Sequence, residues 1–258
     1  LARVMDITFL CGMGRMARQF QRRGVHNIYF LPNSACQVRF SAPLRPEAYH
    51  PEYAVAFIGN RVDFRNPFNR YAAYPMRDRL VRTLSRRFGR DFAIFGNGWS
   101  GYPGSRGPCP FSAQHEVYRR ARVAIGHAAL VDIDYYCSNR TYIAIASGIP
   151  YIERQVPRIE KIFSPSHHCF LYSDPDEAVA TCEKLLALDI EERLRIGAVA
   201  AQYIMRRHTD LHRMRTMLSS AMDHREARRQ NKPVPWPDYD YFLDTVDSVG
   251  ERSFTVYR

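Results

Sequence analysis

The chain has 258 residues, 46% of them hydrophobic and 13% aromatic, which is enough to fill a packed core and argues against wholesale disorder. No run of about 18 apolar residues occurs, which argues against a transmembrane helix. The first hydrophobic stretch is interrupted by Arg3 and Asp6 and does not resemble a secretory signal.

The net charge of +11 is unevenly distributed along the chain. Residues 1–120 carry nineteen arginines and seven acidic residues, whereas residues 121–258 carry eighteen basic and nineteen acidic residues. A basic first half suits an anionic ligand, or an anionic or carbohydrate acceptor. A nucleic-acid surface is a less favoured alternative, because the arginines can equally form a solvated surface.

The cysteines are scattered, without the CxxC spacing of a zinc site or the density of a disulfide scaffold. They are Cys11, Cys36, Cys109, Cys137, Cys169 and Cys182. We expect reduced thiols in a cytoplasmic protein that has no metal site and no bound cofactor.

The first 45 residues contain two short predicted strands, 4–10 and 27–31, with Gly24 between them. This pattern predicts the last βαβ piece of one Rossmann-like domain. Three prolines at positions 43, 46 and 51 indicate a linker over residues 41–52.

A second α/β unit is predicted over residues 46–226. Apolar runs bounded by glycine indicate buried parallel strands, and a four-residue apolar repeat with arginines on the other faces indicates an amphipathic helix. The predicted strands are 54–58, 92–95, 122–125, 149–152 and 169–172, the amphipathic helix is 76–88, a Gly/Pro-rich loop covers 101–110, and a further helix is near 112–120.

Capping signals mark three more helices. Ser138 is placed to cap a short, mostly apolar helix that ends at Gly148, and Asp174 and Asp189 begin the next two. The alternation of strands and helices predicts an α/β fold with a doubly wound parallel sheet of the Rossmann type. Residues 227–258 are rich in proline, aromatic and acidic residues, and we expect an extended tail that packs back on the body.

Ligands of open parallel sheets bind beyond the carboxyl ends of the strands. Four loops qualify here: residues 59–65, 96–102, 126–140 and the loop after Glu153. In the first, the backbone N–H groups of Gly59 and Asn60 and the guanidinium of Arg61 could approach a diphosphate, although a plain strand-to-helix turn would use the same residues.

Two other loops also offer candidate ligand-binding residues. Gly98 and Trp99 could present a flexible turn and an aromatic face to a base, although Trp99 can also be a core residue. His127 could hydrogen-bond a phosphate or a sugar hydroxyl, although a structural role is also open.

The strongest local signal is Ser138-Asn139-Arg140 at a helix N-terminus. Unpaired N–H groups, the positive end of the helix dipole and a guanidinium converge there, which favours phosphate binding. The alternative is a capped buried helix with Arg140 in a salt bridge.

Other patterns carry less weight. Asp132 and Asp134 have the spacing of a DxD metal motif, but alternate acidic residues also arise by chance, and we assign no metal ligand. His167 and His168 are interpreted as structural. GxSxG, HExxH and Walker motifs are absent from the sequence, so hydrolase, zinc-protease and NTPase functions have no support.

Together these segments resemble the C-terminal half of GT-B glycosyltransferases over about residues 25–220. The similarity rests on AVAFIGN (54–60), FGNGW (95–99), ARVAIG (121–126), SNRTYIAIASG (138–148) and LYSDPDE (171–177), the fourth being the most specific. The chain looks most similar to the CgeB-like group within the family 1/4 type.

This resemblance implies two Rossmann-like domains and sugar transfer from a nucleotide-diphosphate donor, such as a UDP-sugar, without a bound metal. It implies that the donor site includes Gly59, Asn60, Arg61, Gly98, Trp99, Ser138, Asn139, Arg140 and Tyr142. It also implies that residues 1–45 are only the end of the N-terminal, acceptor-side domain.

One position departs from the family pattern. Ile143 stands where these enzymes have a glutamate that is expected to hold the donor ribose, and an apolar side chain cannot accept those hydrogen bonds. We therefore expect a glycosyltransferase with an unidentified acceptor hydroxyl and catalytic base. The alternatives are an inactive binding module of the same fold and a sugar transferase that acts on nucleic acid.

Overall fold

The computed structural model describes residues 5–25, 27–40, 43–61 and 73–232. Its main feature is a six-stranded, wholly parallel sheet with the strand order β5-β4-β3-β6-β7-β8. The strands are β3 (Tyr53–Ile58), β4 (Phe92–Phe95), β5 (Ser105–Gly107), β6 (Ala121–Ile125), β7 (Tyr151–Arg154) and β8 (Phe170–Tyr172).

Helices cover both faces of this sheet. They are α3 (Ala73–Phe88), α4 (Gln114–Arg119), α5 (Asn139–Ala146), α6 (Pro175–Ala187) and α7 (Ile190–Arg207). One hydrophobic core lies under α3 and α6, and a second lies under α4, α5 and α7. The predicted doubly wound α/β fold is therefore confirmed.

Local sequence signals placed most of these elements correctly. The predicted strand 92–95 coincides with β4, three others differ from β3, β6 and β8 by one residue at one end, and the predicted strand 149–152 begins and ends two residues before β7. The Asp174 carboxylate accepts hydrogen bonds from the N–H groups of Asp176 and Glu177, and the Asp189 carboxylate accepts one from Glu192. Both caps begin their helices as predicted.

A smaller parallel pair lies at the start of the described chain. β1 (Thr8–Leu10) and β2 (Ile28–Phe30) are joined through α1 (Arg15–Gln21), as the βαβ prediction required. A short helix, α2 (Gln37–Phe40), follows. The long helix α8 (Asp210–Arg229) returns to this pair, where the guanidinium of Arg213 donates to the carbonyl oxygens of Pro32 and Asn33.

Two sequence predictions need correction in detail. The predicted loop 101–110 contains the edge strand β5, which pairs through its backbone with β4 and needs no apolar side chains. Part of the predicted linker packs firmly, because Tyr49 is buried and its hydroxyl donates to the Ala121 carbonyl at 3.0 Å. The predicted extended tail 227–258 begins too early, because α8 continues to Arg229, and its residues from 233 onward lie outside the described residues.

Within the described part of the chain, no helix combines the length and the apolar character needed to cross a membrane.

Candidate functional site

The loops after β3 and β4 are joined at the carboxyl edge of the sheet. The Asn60 side-chain oxygen accepts the Asn97 N–H at 2.9 Å, and the Arg61 N–H donates to the Asn97 carbonyl at 2.9 Å. Gly96 has φ +136°, and a Cβ there would overlap the Gly59 carbonyl oxygen. The structure therefore brings the two predicted glycine loops into direct contact, as the carboxyl-edge rule expects.

Arg61 is held by an acidic partner on the neighbouring helix. Its Nε lies 2.8 Å from an Asp78 carboxylate oxygen, and its side chain is 41% exposed. A Cβ added at Gly98 would come within 2.9 Å of the Arg61 Cβ, so the loop packs closely on this arginine. The guanidinium predicted to reach a diphosphate is thus already paired with a carboxylate.

Trp99 is a core residue in the structure. Only 1% of it is exposed, its indole N–H donates to the Gly59 carbonyl at 2.6 Å, and its ring packs edge-on against Phe57 and Tyr102. The ring therefore presents no open face to a base, which corrects the first of the two roles considered for it.

Arg77 is a site residue that the sequence did not reveal. Periodicity placed it on a solvent face of its helix, but it is only 4% exposed and donates to the carbonyl oxygens of Asn60 (3.1 Å) and His127 (2.8 Å). Burial and the nearby charge of Arg140 lower its pKa. The available signal was its place near the start of α3, where the helix faces the carboxyl edge.

His127 is buried beneath the same edge. Its Nδ1 lies 2.9 Å from the Ala128 carbonyl oxygen and so carries the hydrogen of the neutral ring. Burial, and then the charge of Arg77, lowers its pKa to about 3. Its Nε2 is buried without a partner among the described residues. The ring is therefore neutral and, in this structure, enclosed rather than open to a ligand.

The start of α5 leaves its first N–H groups free. Ser138 occupies the N-cap position in an extended conformation, but its side chain makes no capping hydrogen bond, contrary to the prediction. The backbone N–H groups of Asn139 and Arg140 have no partner within the described residues. Because these are the groups at which the helix dipole is positive, the corner can accept an anion.

Arg140 stands at this corner without a charged partner among the described residues. Its side chain is half-buried, and it forms no hydrogen bond or ion pair with any described residue. The alternative considered for Arg140 was a salt bridge, and no acidic residue in the described part of the chain forms one with it. Its charge acts on its surroundings: after burial it is the second cause that lowers the pKa of Arg77, and it offsets part of the rise that burial causes in the pKa values of Tyr118 and Tyr136.

Tyr142 and Ile143 point into the protein. Both are fully buried, and the Tyr142 ring lies 5.3 Å from Phe163 and 5.6 Å from His208, measured between ring centroids. The expectation that Tyr142 contacts the donor is wrong for this arrangement, because the helix turns that side chain toward α7 and α8. Ile143 fills the core rather than facing a ribose.

A buried carboxylate, also missed from the sequence, connects the site loops. Glu153 is 1% exposed and is the next-to-last residue of β7. It accepts hydrogen bonds from the N–H groups of Ala128 (3.1 Å) and Arg154 (2.8 Å) and from the hydroxyls of Thr141 (2.7 Å) and Tyr151 (2.6 Å). Glu153 thereby fixes the start of α5 against the loop after β6. The available signal was an acidic residue directly after the apolar run 149–152.

The two acidic residues of the DxD pattern serve as ion-pair partners. Asp132 pairs with Arg15, and Asp134 lies 3.7 Å from Arg158. Across the described residues, no group of three or more His, Cys, Asp or Glu side chains is arranged to hold a metal ion. His168, interpreted as structural, stacks on Tyr203 with ring centroids 3.6 Å apart.

Comparison with solved structures places this architecture among known folds. Anabaena HepE in complex with UDP and glucose has a TM-score of 0.60 at 9% identity, covering 86% of this chain and 64% of that one. Sucrose-phosphate synthase from Thermosynechococcus elongatus has a TM-score of 0.55 at 14% identity, covering 88% and 60%. The pneumococcal O-GlcNAc transferase GtfA, in complex with UDP and GlcNAc, has a TM-score of 0.53 at 13% identity, covering 85% and 45%.

At these identities the likeness defines the fold, which is that of GT-B glycosyltransferase structures. The chain spans less than two thirds of the length of each of these structures. The search of curated proteins gave no match. The family model described as "Glycosyl transferase-like" matches residues 77–219, which is more than half of the chain and includes the start of α5 but not the loop after β3. The chain belongs to this glycosyl transferase-like family.

Proposed function

We propose that the chain is the donor-binding part of a glycosyltransferase that moves a sugar from a nucleotide-diphosphate sugar to an acceptor hydroxyl. The observation that carries this proposal is the start of α5, where two backbone N–H groups and the guanidinium of Arg140, none of them paired with a described residue, meet at the carboxyl edge of a parallel sheet. Such a corner is suited to a diphosphate.

In this proposal the leaving diphosphate is stabilised without a metal ion. Negative charge develops on the phosphate oxygens as the sugar–oxygen bond breaks, and fixed N–H dipoles together with Arg140 would stabilise it. Arg77 lies behind them, hydrogen-bonded to the carbonyl oxygens of both flanking loops, and adds positive potential to the same corner.

We also propose the subgroup, the donor and the location of the protein. The sequence resemblance favours the CgeB-like group, a UDP-sugar donor and a cytoplasmic protein, with the acceptor side formed by a domain of which residues 1–45 are the end. HepE and GtfA were solved with UDP and a sugar, which supports UDP as the first donor nucleotide to test.

A donor-binding module without transferase activity is the second candidate. His127 favours it, because its ring is enclosed and its pKa of about 3 makes it a poor base at neutral pH. The two candidates differ in turnover but not in donor binding.

Replacing Arg140 tests the proposal at its centre. We expect Arg140→Ala to weaken the binding of UDP about 10- to 100-fold, as the loss of a charge-assisted hydrogen bond of roughly 1.5–3 kcal/mol predicts. Isothermal titration calorimetry measures this change in affinity. An assay for release of the nucleoside diphosphate from a panel of nucleotide sugars distinguishes sugar transfer from binding alone.

Arg86→Ala is the matched control. Arg86 is an exposed arginine in the last turn of α3, at the opposite end of the helix from the site, and its loss should leave affinity unchanged. Equal affinity of the wild-type chain and Arg140→Ala for every nucleotide tested would refute the proposed donor site.

A further inference from the structure

The helix α8 buries polar side chains and exposes a row of large apolar ones. Its buried residues are polar or charged, and four large apolar residues are exposed alongside its exposed charged residues. The buried set is Arg213, Thr216, Ser220 and His224. The exposed set, which we name the α8 stripe, is Leu211 (43% exposed), Met214 (53%), Leu218 (60%) and Met222 (71%).

The spacing makes the stripe continuous. Its members recur at intervals of three, four and four residues, so they line one side of the helix. Each lies two residues before a buried polar residue, and two residues turn a helix by about 200°, which places the two sets on opposite sides. The four large side chains therefore form one continuous apolar surface and are not isolated exposed residues.

The orientation of α8 is fixed near its start. The buried guanidinium of Arg213 donates to the Asn33 carbonyl at 2.8 Å and to Nδ1 of His208 at 2.7 Å. The Asp210 N–H also donates to the Ala35 carbonyl. Turning the helix to bury the stripe would break these bonds and leave the arginine buried without them, so only a segment from outside the helix could cover the stripe.

We propose that residues 233–258 of this chain cover the α8 stripe. The size of the stripe argues for a short segment, because a stable interface with a second copy uses roughly 20–30 residues a side and the stripe has four. The segment begins where α8 ends and lies outside the described residues.

A left-handed residue closes the end of α8. Asn231 adopts a positive φ of 51°, and the Lys232 N–H donates to the Ala227 carbonyl at 2.9 Å, which closes the helix and turns the chain. A helix of 20 residues is about 30 Å long, and about nine extended residues span that distance. The 26 residues of the segment suffice for the return.

The composition of the segment complements the stripe. It holds five acidic and two basic residues, a net charge of −3, whereas the remainder of the chain carries +14. Between positions 236 and 242 it also carries four aromatic residues: Trp236, Tyr239, Tyr241 and Phe242. Aromatic side chains would bury the exposed Leu and Met surface, and the acidic residues would be attracted to the basic body.

Tryptophan fluorescence tests the proposal in the full chain. The sequence has two tryptophans, and Trp99 is buried, so quenching by acrylamide reports on Trp236. We expect Trp236 to be shielded in the wild-type protein, and the double variant Leu218→Glu/Met222→Glu to raise its quenching constant several-fold. Val199→Glu, at a similarly exposed apolar position on α7, should leave quenching unchanged.

Two results would overturn the proposal. One is free quenching of Trp236 in the wild-type protein. The other is a wild-type dimer, seen by sedimentation, that the stripe variant dissociates without any change in quenching, since a second copy would then be the cover. Circular dichroism verifies that each variant keeps its helices, and nucleotide binding should be the same in all of them.

Discussion

At the scale of single residues, two arginines decide the chemistry that the site can perform. Arg77 and Arg140 lie close enough for the charge of one to lower the pKa of the other, and neither has a carboxylate partner among the described residues. Like charges held together in a partly buried place are unfavourable unless an anion joins them. A diphosphate would supply that anion.

Neither arginine's role could be read reliably from the sequence. Arg140 was predicted as a site residue because helix N-termini have a local sequence signature. Arg77 was assigned to the solvent side of its helix because periodicity cannot distinguish an exposed turn from one that a neighbouring loop covers. Trp99 and Tyr142 were misplaced for the converse reason. Their burial depends on contacts with Phe57, Phe163 and other residues distant in the chain.

Glu153 gives a prediction at this scale that rests on the proposed donor site. Glu153→Gln replaces an acceptor of four hydrogen bonds by a group that accepts fewer, so we expect a loss of about 1–3 kcal/mol in the free energy of unfolding. Since Glu153 holds Thr141 at the start of α5, UDP affinity should fall as well.

Urea denaturation and calorimetry measure the two effects, and Glu191→Gln, at an exposed position in the first turn of α7, is the control. A destabilised Glu153→Gln that keeps full UDP affinity would mean that Glu153 serves folding alone and does not position α5.

At the scale of elements, prediction succeeded where the signal was local. Apolar runs closed by glycine located β3, β4 and β6, and Asp174 and Asp189 located the starts of α6 and α7. The edge strand β5 was missed because its three residues, Ser105–Gly107, pair only through the backbone. No periodicity marks such a strand.

The junction of β6 and β7 gives a prediction at the element scale. A Cβ at Gly126 would overlap the hydroxyl of Tyr151 and come within 3.0 Å of a Glu153 carboxylate oxygen. We expect Gly126→Ala to lower the free energy of unfolding by about 1–3 kcal/mol through overpacking. Gly101→Ala is matched to it, since a Cβ there meets nothing within 4 Å. Equal free energies of unfolding of the two variants in urea would show that β7 can shift to accommodate the added Cβ without loss of stability.

At the scale of the whole molecule, the charge of the chain and the position of the site agree. The basic half of the sequence supplies Arg61 and Arg77, and the near-neutral half supplies Arg140, so the sheet joins them at one edge. The helix α8 connects the sheet domain to the β1–β2 pair through Arg213 and the bridge between Ala35 and Thr209. These long-range contacts were beyond prediction from one sequence.

A crystal structure of the chain with UDP bound is the most direct measurement of where the nucleotide is held. The account predicts that the phosphate next to the sugar position lies within hydrogen-bond distance of the N–H groups of Asn139 and Arg140 and of the Arg140 guanidinium. Phosphates seated elsewhere, with the start of α5 empty, would contradict it.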